Sequence, residues 1–168
     1  MSSYFDTVNK MFDQTYGAAE AAMAKQYLRC MKEVKLEMLR LYDEITLAGG
    51  DVLTSHLYQY NRYYDLINNL QNQFQELGGK ESIVVEKSFT KLYEQNAKFL
   101  ERTNGFAPTF TAAAATDALN TVWCTDGKLW SDRIWEHKAA LANSMKNIMV
   151  DAVARGVPRD RLVKAIEL

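Results

Sequence analysis

The residues best suited to catalysis or metal binding are scattered, and they lack the partners that such chemistry needs. His56 and His137 have no cysteine or carboxylate at metal-ligand spacing, whereas a zinc site needs several converging ligands. Glu33, Glu37 and Glu44 fall on one predicted helix, and a glycosidase pair would need a second element to place carboxylates across a cleft. A solvated helix face is the better interpretation. The sequence predicts no metal site and no cofactor.

Nucleophile and phosphate-binding motifs are not recognisable either. Gly78-Gly79-Lys80-Glu81 lacks the spacing and the following Ser or Thr of a P-loop. Cys30 and Cys124 form no Cys-x-x-Cys pair and have no recognisable histidine partner. Such cysteine usage is typical of a protein made in a reducing cytosol, without a disulfide framework. We therefore predict that the protein is not an enzyme.

Length and charge set further bounds. The chain has 168 residues, 48% of them hydrophobic, which favours one domain or two small lobes. Its formal net charge of -1 argues against a phosphate-binding surface over the whole chain. From Lys128 onward, eight Lys or Arg outnumber five Asp or Glu. The first residues do not resemble a signal peptide, and no apolar run approaches the roughly 20 residues that span a bilayer. We expect no membrane contact.

Aromatic residues mark the most distinctive faces of the chain. Tyr58, Tyr60, Tyr63 and Tyr64, with Arg62 among them, surround the second predicted helix. Because one helix cannot bury every face in a three-helix bundle, some of these tyrosines are expected at the surface. Two interpretations stay open. The tyrosines form a core with a hydrogen-bonded rim, or they form a protein-protein contact surface, where Tyr and Arg are enriched.

Two tryptophans near the start of a later helix divide in the same way. Trp130 is expected as a hydrophobic staple before that helix and Trp135 in the core. If the contact interpretation holds, the predicted contact residues are Tyr58, Arg62, Tyr63, Trp130 and Arg133.

Helical periodicity runs through the first hundred residues. Apolar side chains recur at steps of three and four over residues 18–47, which lines up one face of a helix. Gly49-Gly50 ends this helix, Asp51 caps a second one, Gly78-Gly79 ends the second, and a third begins near Ser82. The short links predict an up-down-up bundle. The predicted stripe of the first helix consists of Ala24, Tyr27, Met31, Val34, Met38, Leu41 and Ile45, widened by Leu28, Leu39 and Tyr42.

Shorter helices are predicted after the interruption at residues 104–108. One covers about Thr111 to Trp123, and another, capped by Ser131, runs until Gly156 ends it. Pro158 suits the first position of a last helix. The chain stops inside that pattern, as expected of a truncated C-terminus.

The predicted fold class is all-α, an elongated antiparallel helical bundle of about five to six helices with the long ones in the N-terminal part. Residues 1–103 are expected to form the long-helix bundle, and residues 104–168 a shorter-helix segment that packs on it or extends it.

The last two predicted helices superficially resemble a helix-turn-helix element. Arg155, Arg159, Arg161 and Lys164 would supply contacts to DNA phosphates. DNA binding is not favoured, because the second helix is incomplete and no side chain is placed to read bases.

Three stretches together resemble the minor head protein family of tailed bacteriophages, also called the phage head-morphogenesis family. The similarity covers roughly residues 20–168. Its most specific part is Trp130-Ser131-Asp132-Arg133-Ile134-Trp135 with Leu141-Ala142-Asn143 and then Gly156. The other two stretches are Tyr58-Gln59-Tyr60-Asn61-Arg62-Tyr63-Tyr64-Asp65-Leu66, leading into Leu77-Gly78, and Leu92-Tyr93-Glu94.

The resemblance implies a structural role. Such proteins are made in the bacterial host cytoplasm, enter the virion head in few copies near the portal, and act in head assembly or in DNA packaging and delivery. The implied partners are portal, capsid or scaffolding proteins, with self-association open, and a prophage-encoded cytoplasmic protein is a further reading. The alternative function is an internal head protein that contacts packaged or ejected DNA through its basic C-terminal helices. Family members are usually longer, with a C-terminal half that often carries a Cys/His segment, whose metal or enzymatic properties are not carried over.

Overall fold

All regular secondary structure in the described part of the chain is helical. A computed structural model describes residues 4–47, 62–105 and 110–167, and over these ranges it contains helices and connecting turns but no strand. The predicted all-α fold with long helices in the N-terminal part is therefore confirmed. The helices of the described residues are α1 (Tyr4–Leu47), α2 (Arg62–Asn104), α3 (Ala112–Leu119), α4 (Trp130–Ala154) and α5 (Arg159–Ile166).

The helices contribute to two compact units. Unit 1 consists of the described parts of 1–26 and 79–134, and unit 2 of those of 27–78 and 135–168. Each unit therefore combines segments that are distant in sequence, and the two are described separately below.

Unit 1 has a small core and many aromatic contacts. Ala97 of α2 and Ala115 and Leu119 of α3 are buried, as is Ile134. The first turn of α3 is capped because the Thr111 side chain accepts a hydrogen bond from the Ala114 amide at 3.0 Å, as expected of an N-cap threonine. Helix α3 ends at Leu119, four residues before the end expected from the sequence.

Unit 2 has the larger apolar core. Helices α1 and α2 are antiparallel there, since Cys30 contacts the Gln73 carbonyl and Glu37 accepts a hydrogen bond from Asn69. Val34 and Met38 are fully buried, which confirms the centre of the stripe predicted for the first helix. The largest fully buried side chains of the unit are Val34, Met38, Leu66, Leu70, Phe74, Met145, Met149 and Leu162.

Helix α5 is attached to α1 by polar contacts within unit 2. Tyr42 donates a hydrogen bond to the Val157 carbonyl, and Lys35 pairs with Glu167. The Arg159 guanidinium lies 2.8 Å from the Asp43 carboxylate. These contacts hold the short helix so that its apolar face, including the fully buried Leu162, completes the core.

The predicted break at Gly78-Gly79 is wrong. Helix α2 continues through both glycines, so no separate helix begins near Ser82. The predicted up-down-up order of three helices required a helix end at this position, and the structure shows none there. Gly78 has a different reason to be glycine. A Cβ atom there would lie 2.7 Å from the Trp135 ring atom Cζ3 and 3.3 Å from Lys138 Cγ.

The ends of α4 follow the sequence signals more closely. Gly156 has a φ of +57°, and the Val157 amide bonds the Ala152 carbonyl at 2.9 Å, the pattern of a glycine-terminated helix. Helix α4 begins at Trp130, two residues earlier than a cap at Ser131 predicts, so Ser131 is not the cap. The Asp132 carboxylate instead accepts a hydrogen bond from the Leu129 amide at 2.9 Å.

Three smaller expectations also need correction. Trp135 is not a core residue, since 45% of its surface is exposed, and Leu28, assigned to the buried stripe, is 74% exposed. Pro158 directly precedes α5 as its N-cap and is not its first residue. Helix α1 also includes residues 4–17. The predicted cap Asp51 and the break at Gly49-Gly50 lie outside the described residues.

Candidate functional site

The contact residues predicted on the second helix lie only partly within the described residues. Tyr58 lies outside the described residues. Arg62 and Tyr63 are the first residues of α2, and their side chains lie outside the described part of the structure. Tyr64 is exposed. The tyrosine-rich surface at this end of α2 therefore stays a prediction.

Trp130 and Arg133 are both placed at the start of α4 in unit 1. The Trp130 ring is half-buried, and its buried Nε1 has no acceptor among the described residues. The Arg133 guanidinium bonds both carboxylate oxygens of Asp126 at 2.8 Å. Both contacts come from the same Nη2 atom, so the pair is a charge-assisted hydrogen bond shared between the two oxygens. Arg133 thus holds the turn before α4 against the helix, a local role that contact with a partner would have to share.

The four basic residues considered for DNA binding differ in their availability. Arg155 pairs with Asp151 at 2.6 Å and Arg159 pairs with Asp43 at 2.8 Å. The hydrogen bond that Arg159 donates to the Asp43 carboxylate raises the pKa of Arg159. Arg161 and Lys164 are exposed on α5. Two of the four cations therefore already face carboxylates, which would compete with DNA phosphates.

Unit 2 contains an apolar groove. We call this surface the α1–α4 groove. It has a volume of about 530 Å³, and its apolar floor includes the exposed Leu28. Residues 28, 31, 32 and 35 belong to one face of α1, since they are spaced by three and four. The lining residues are Tyr27, Leu28, Met31, Lys32 and Lys35 from α1, His137 and Leu141 from α4, and Ile166 and Glu167 at the end of α5.

A polar cluster lies beside the α1–α4 groove. Lys138 donates a hydrogen bond to the Tyr27 hydroxyl, and its Nζ lies 4.3 Å from the centre of the Tyr27 ring. The His137 Nδ1 atom lies 3.4 Å from both the Tyr27 hydroxyl and the Lys138 Nζ. Burial lowers the pKa of Lys138 to about 8, because removing an ammonium from water disfavours its charged form. The cluster therefore places a cation with an adjustable charge next to apolar surface.

A second pocket in unit 2 is polar. It has a volume of about 430 Å³ and includes Glu37, Glu44 and Asp65. Arg40 lies 3.7 Å from the carboxylates of both Glu37 and Glu44, so this acidic face is partly neutralised. Over residues 4–47, 62–105 and 110–167, no three His, Cys, Asp or Glu side chains are grouped to hold a metal ion. Glu37 and Glu44, from the helix face predicted to be solvated, line this pocket together with Asp65 of α2.

Unit 1 exposes aromatic surface that sequence reasoning did not single out. Trp123 follows α3 and is 68% exposed, with its Nε1 donating to the Ala118 carbonyl at 3.0 Å. Its ring meets Phe89 edge-on, with centroids 6.2 Å apart, and Tyr93 contacts Phe110 nearby in the unit. The sequence signal that could have revealed this surface is the weaker helix former after Leu119. It indicates that α3 ends before Trp123.

Comparison with known proteins adds no relative. No protein-family model, no curated protein and no solved structure matches this chain. In the described helices, none combines the length and the apolar character that crossing a membrane requires.

Proposed function

We propose that the chain is a structural minor head protein of a bacteriophage, which acts in head morphogenesis at or near the portal through protein-protein contacts. The proposal combines the resemblance of the Trp130–Trp135 segment to the phage family with the kind of surface that the chain presents. It treats the protein as a non-catalytic component of the virion that binds portal, capsid or scaffolding subunits.

The observation that carries the proposal is the number of large apolar side chains at the surface. A single exposed apolar residue needs no explanation, but groups of them mark protein contact sites. Trp123 and Tyr93 both contact the Phe89 ring, and Phe12 stacks on Tyr16 with ring centroids 5.8 Å apart. Among the described residues, the exposed large apolar side chains are Tyr4, Phe5, Phe12, Tyr16, Leu28, Leu36, Tyr64, Ile83, Tyr93, Val122, Trp123 and Trp135.

Co-expression with the virion proteins encoded beside this chain tests the proposal. The expected result is co-purification with the portal, major capsid or scaffolding subunit, and loss of the encoded protein should reduce the yield of infectious heads. Trp123→Ser should weaken the association about tenfold or more, since aromatic anchors dominate interface energies. Absence of association with all three subunits, and normal heads without the protein, would contradict the proposal.

DNA contact through α5 is the alternative function, and it has less support. All four cations of the predicted set are exposed, but Arg155 and Arg159 are paired with carboxylates. Binding of duplex DNA at low ionic strength that falls steeply with added salt would revive this alternative.

A further inference from the structure

We propose that the α1–α4 groove is the docking site for an acidic amphipathic helix of a partner protein. This inference rests on the proposed function, because it assigns one of the protein contacts to a surface and states the chemistry of the occupant. Its grounds are the shape of the groove, its apolar floor and the charges at its rim.

The floor of the groove is apolar and open to solvent. Leu28 and Met31 of α1 face Leu141 of α4, and Ile166 of α5 borders the same space. Leu28 is 74% exposed although Val34 and Met38, on the same helix, are fully buried. The apolar stripe of α1 thus continues past the core of unit 2 onto surface that nothing within the described residues covers. An apolar side chain placed on this floor would bury Leu28 and gain hydrophobic free energy.

The rim of the groove favours a negatively charged occupant. Lys32 of α1 is an exposed cation at the rim, whereas Lys35 is already paired with Glu167 and Lys138 is buried beside the groove. Glu167 is the one acidic side chain among the lining residues, and it is paired with Lys35. His137 is the remaining titratable group from α4 that lines the groove. A partner carrying Asp or Glu beside its apolar residues would therefore meet complementary charge.

The geometry indicates a helix as the occupant. The floor runs between two helices, α1 and α4, whose side chains form ridges at steps of three and four residues. Another amphipathic helix can place its own apolar ridge into such a groove, with contacts at positions i, i+3, i+4 and i+7. A nucleic acid would match the lysines but leave the apolar floor unused.

Two designed peptides test the charge and shape requirements together. Each is roughly 18 residues, or five helical turns, with the same leucine stripe, and the stripe is flanked by Glu in one peptide and by Lys in the other. Fluorescence anisotropy with the full chain should give a Kd for the Glu peptide about tenfold or more below that of the Lys peptide, and the difference should shrink with salt. Equal affinities, or tighter binding of the Lys peptide, would overturn the proposal.

Matched variants locate the binding surface. Leu28→Ser and Lys32→Glu should each weaken binding of the Glu peptide by about five- to tenfold, through lost apolar burial and reversed charge. Leu36→Ser is the control for the first, because Leu36 is 59% exposed on the same helix and does not line the groove. Lys164→Glu is the control for the second, on exposed α5 surface. Controls that weaken binding as much as the groove variants would overturn the assignment.

Two further outcomes separate the occupants and the hypotheses. The methyl NMR signals of Leu28 and Leu141 are measured as the chain alone is diluted. If they change from a bound to a free position, a second copy occupies the groove and the proposal is wrong. If the chain binds portal or capsid subunits and Leu28→Ser leaves that association unchanged, the groove assignment fails while the proposed function stands. Failure of the proposed function would instead appear as no association of the unmodified chain with any virion subunit.

Discussion

Gly78 shows at the scale of one residue how a distant side chain can decide a local choice. Glycine inside a helix costs stability relative to alanine, by roughly 0.5–1 kcal/mol, and two consecutive glycines in α2 would be expected to break it. Gly78 is retained in a continuous helix because the Trp135 ring occupies the space of a Cβ atom, 2.7 Å from its ideal position. Gly79 has nothing within 4 Å of the corresponding position.

The two glycines should therefore respond in opposite directions to the same substitution. Gly79→Ala should raise the free energy of unfolding by about 0.5–1 kcal/mol, since it adds helix propensity without a clash. Gly78→Ala should lower it by about 1 kcal/mol, because crowding against Trp135 outweighs that gain. Urea denaturation measures both. In a Trp135→Ala background, Gly78→Ala should become stabilising, and additive effects would contradict the contact.

Lys138 should give unit 2 a distinct pH dependence. Burial lowers the pKa of Lys138 to about 8 from an ordinary value of 10.5, so between these values the unfolded chain holds more protons than the folded chain. The free energy of unfolding should then rise with pH from about 8 to 10.5. Lys138→Met should abolish this rise, whereas Lys164→Met should keep it. Denaturant titrations at the two ends of the window check the difference, and a parallel response of both variants would argue against a buried cation.

At the scale of the elements, the short helix α3 depends on its cap. It has only the residues Ala112–Leu119, and helices this short are marginal without capping and tertiary contacts. Thr111→Ala should cost about 1 kcal/mol, because the Ala114 amide loses its acceptor. Thr116→Ala is the matched control, since the Thr116 hydroxyl bonds the Ala112 carbonyl within the helix and its loss should be near neutral. Thermal unfolding followed by circular dichroism distinguishes the two, and equal losses would reject the capping role.

Signals that act within a few residues could be read from the sequence. The stripe through Val34 and Met38 and the end of α4 at Gly156 were predictable, because helix periodicity and positive φ are local properties. Leu28 belongs to the same periodic pattern, yet it faces open surface. Its exposure depends on where α4 and α5 lie, which spacing within α1 does not encode.

The α1–α4 groove could not be predicted for the same reason. It requires residues of α1, α4 and α5 to lie together, and no motif links Leu28, Leu141 and Ile166 along the chain. Likewise, Trp135 is a residue type expected in a core, but it packs on Gly78 at the surface of unit 2. The sequence supplies the parts of this site, and the contacts between distant segments assemble them.

At the scale of the whole molecule, each unit is built from two separated stretches of sequence. Unit 2 combines residues 27–78 with 135–168, and its buried core includes Met145, Met149 and Leu162 from the second stretch. A fragment of residues 1–103, the long-helix domain predicted from sequence, lacks all three side chains. We expect this fragment to unfold without a cooperative thermal transition, in contrast to the full chain. Cooperative unfolding of the fragment would instead support an autonomous domain with its boundary at residue 103.

The contact between Gly78 and Trp135 also constrains how this protein can diverge. Any lineage that acquires a larger residue at position 78 must first, or at the same time, accept a smaller one at position 135. Position 79, with open space beside it, carries no such restriction and should vary independently. The sequences of descendants should therefore show paired changes at positions 78 and 135.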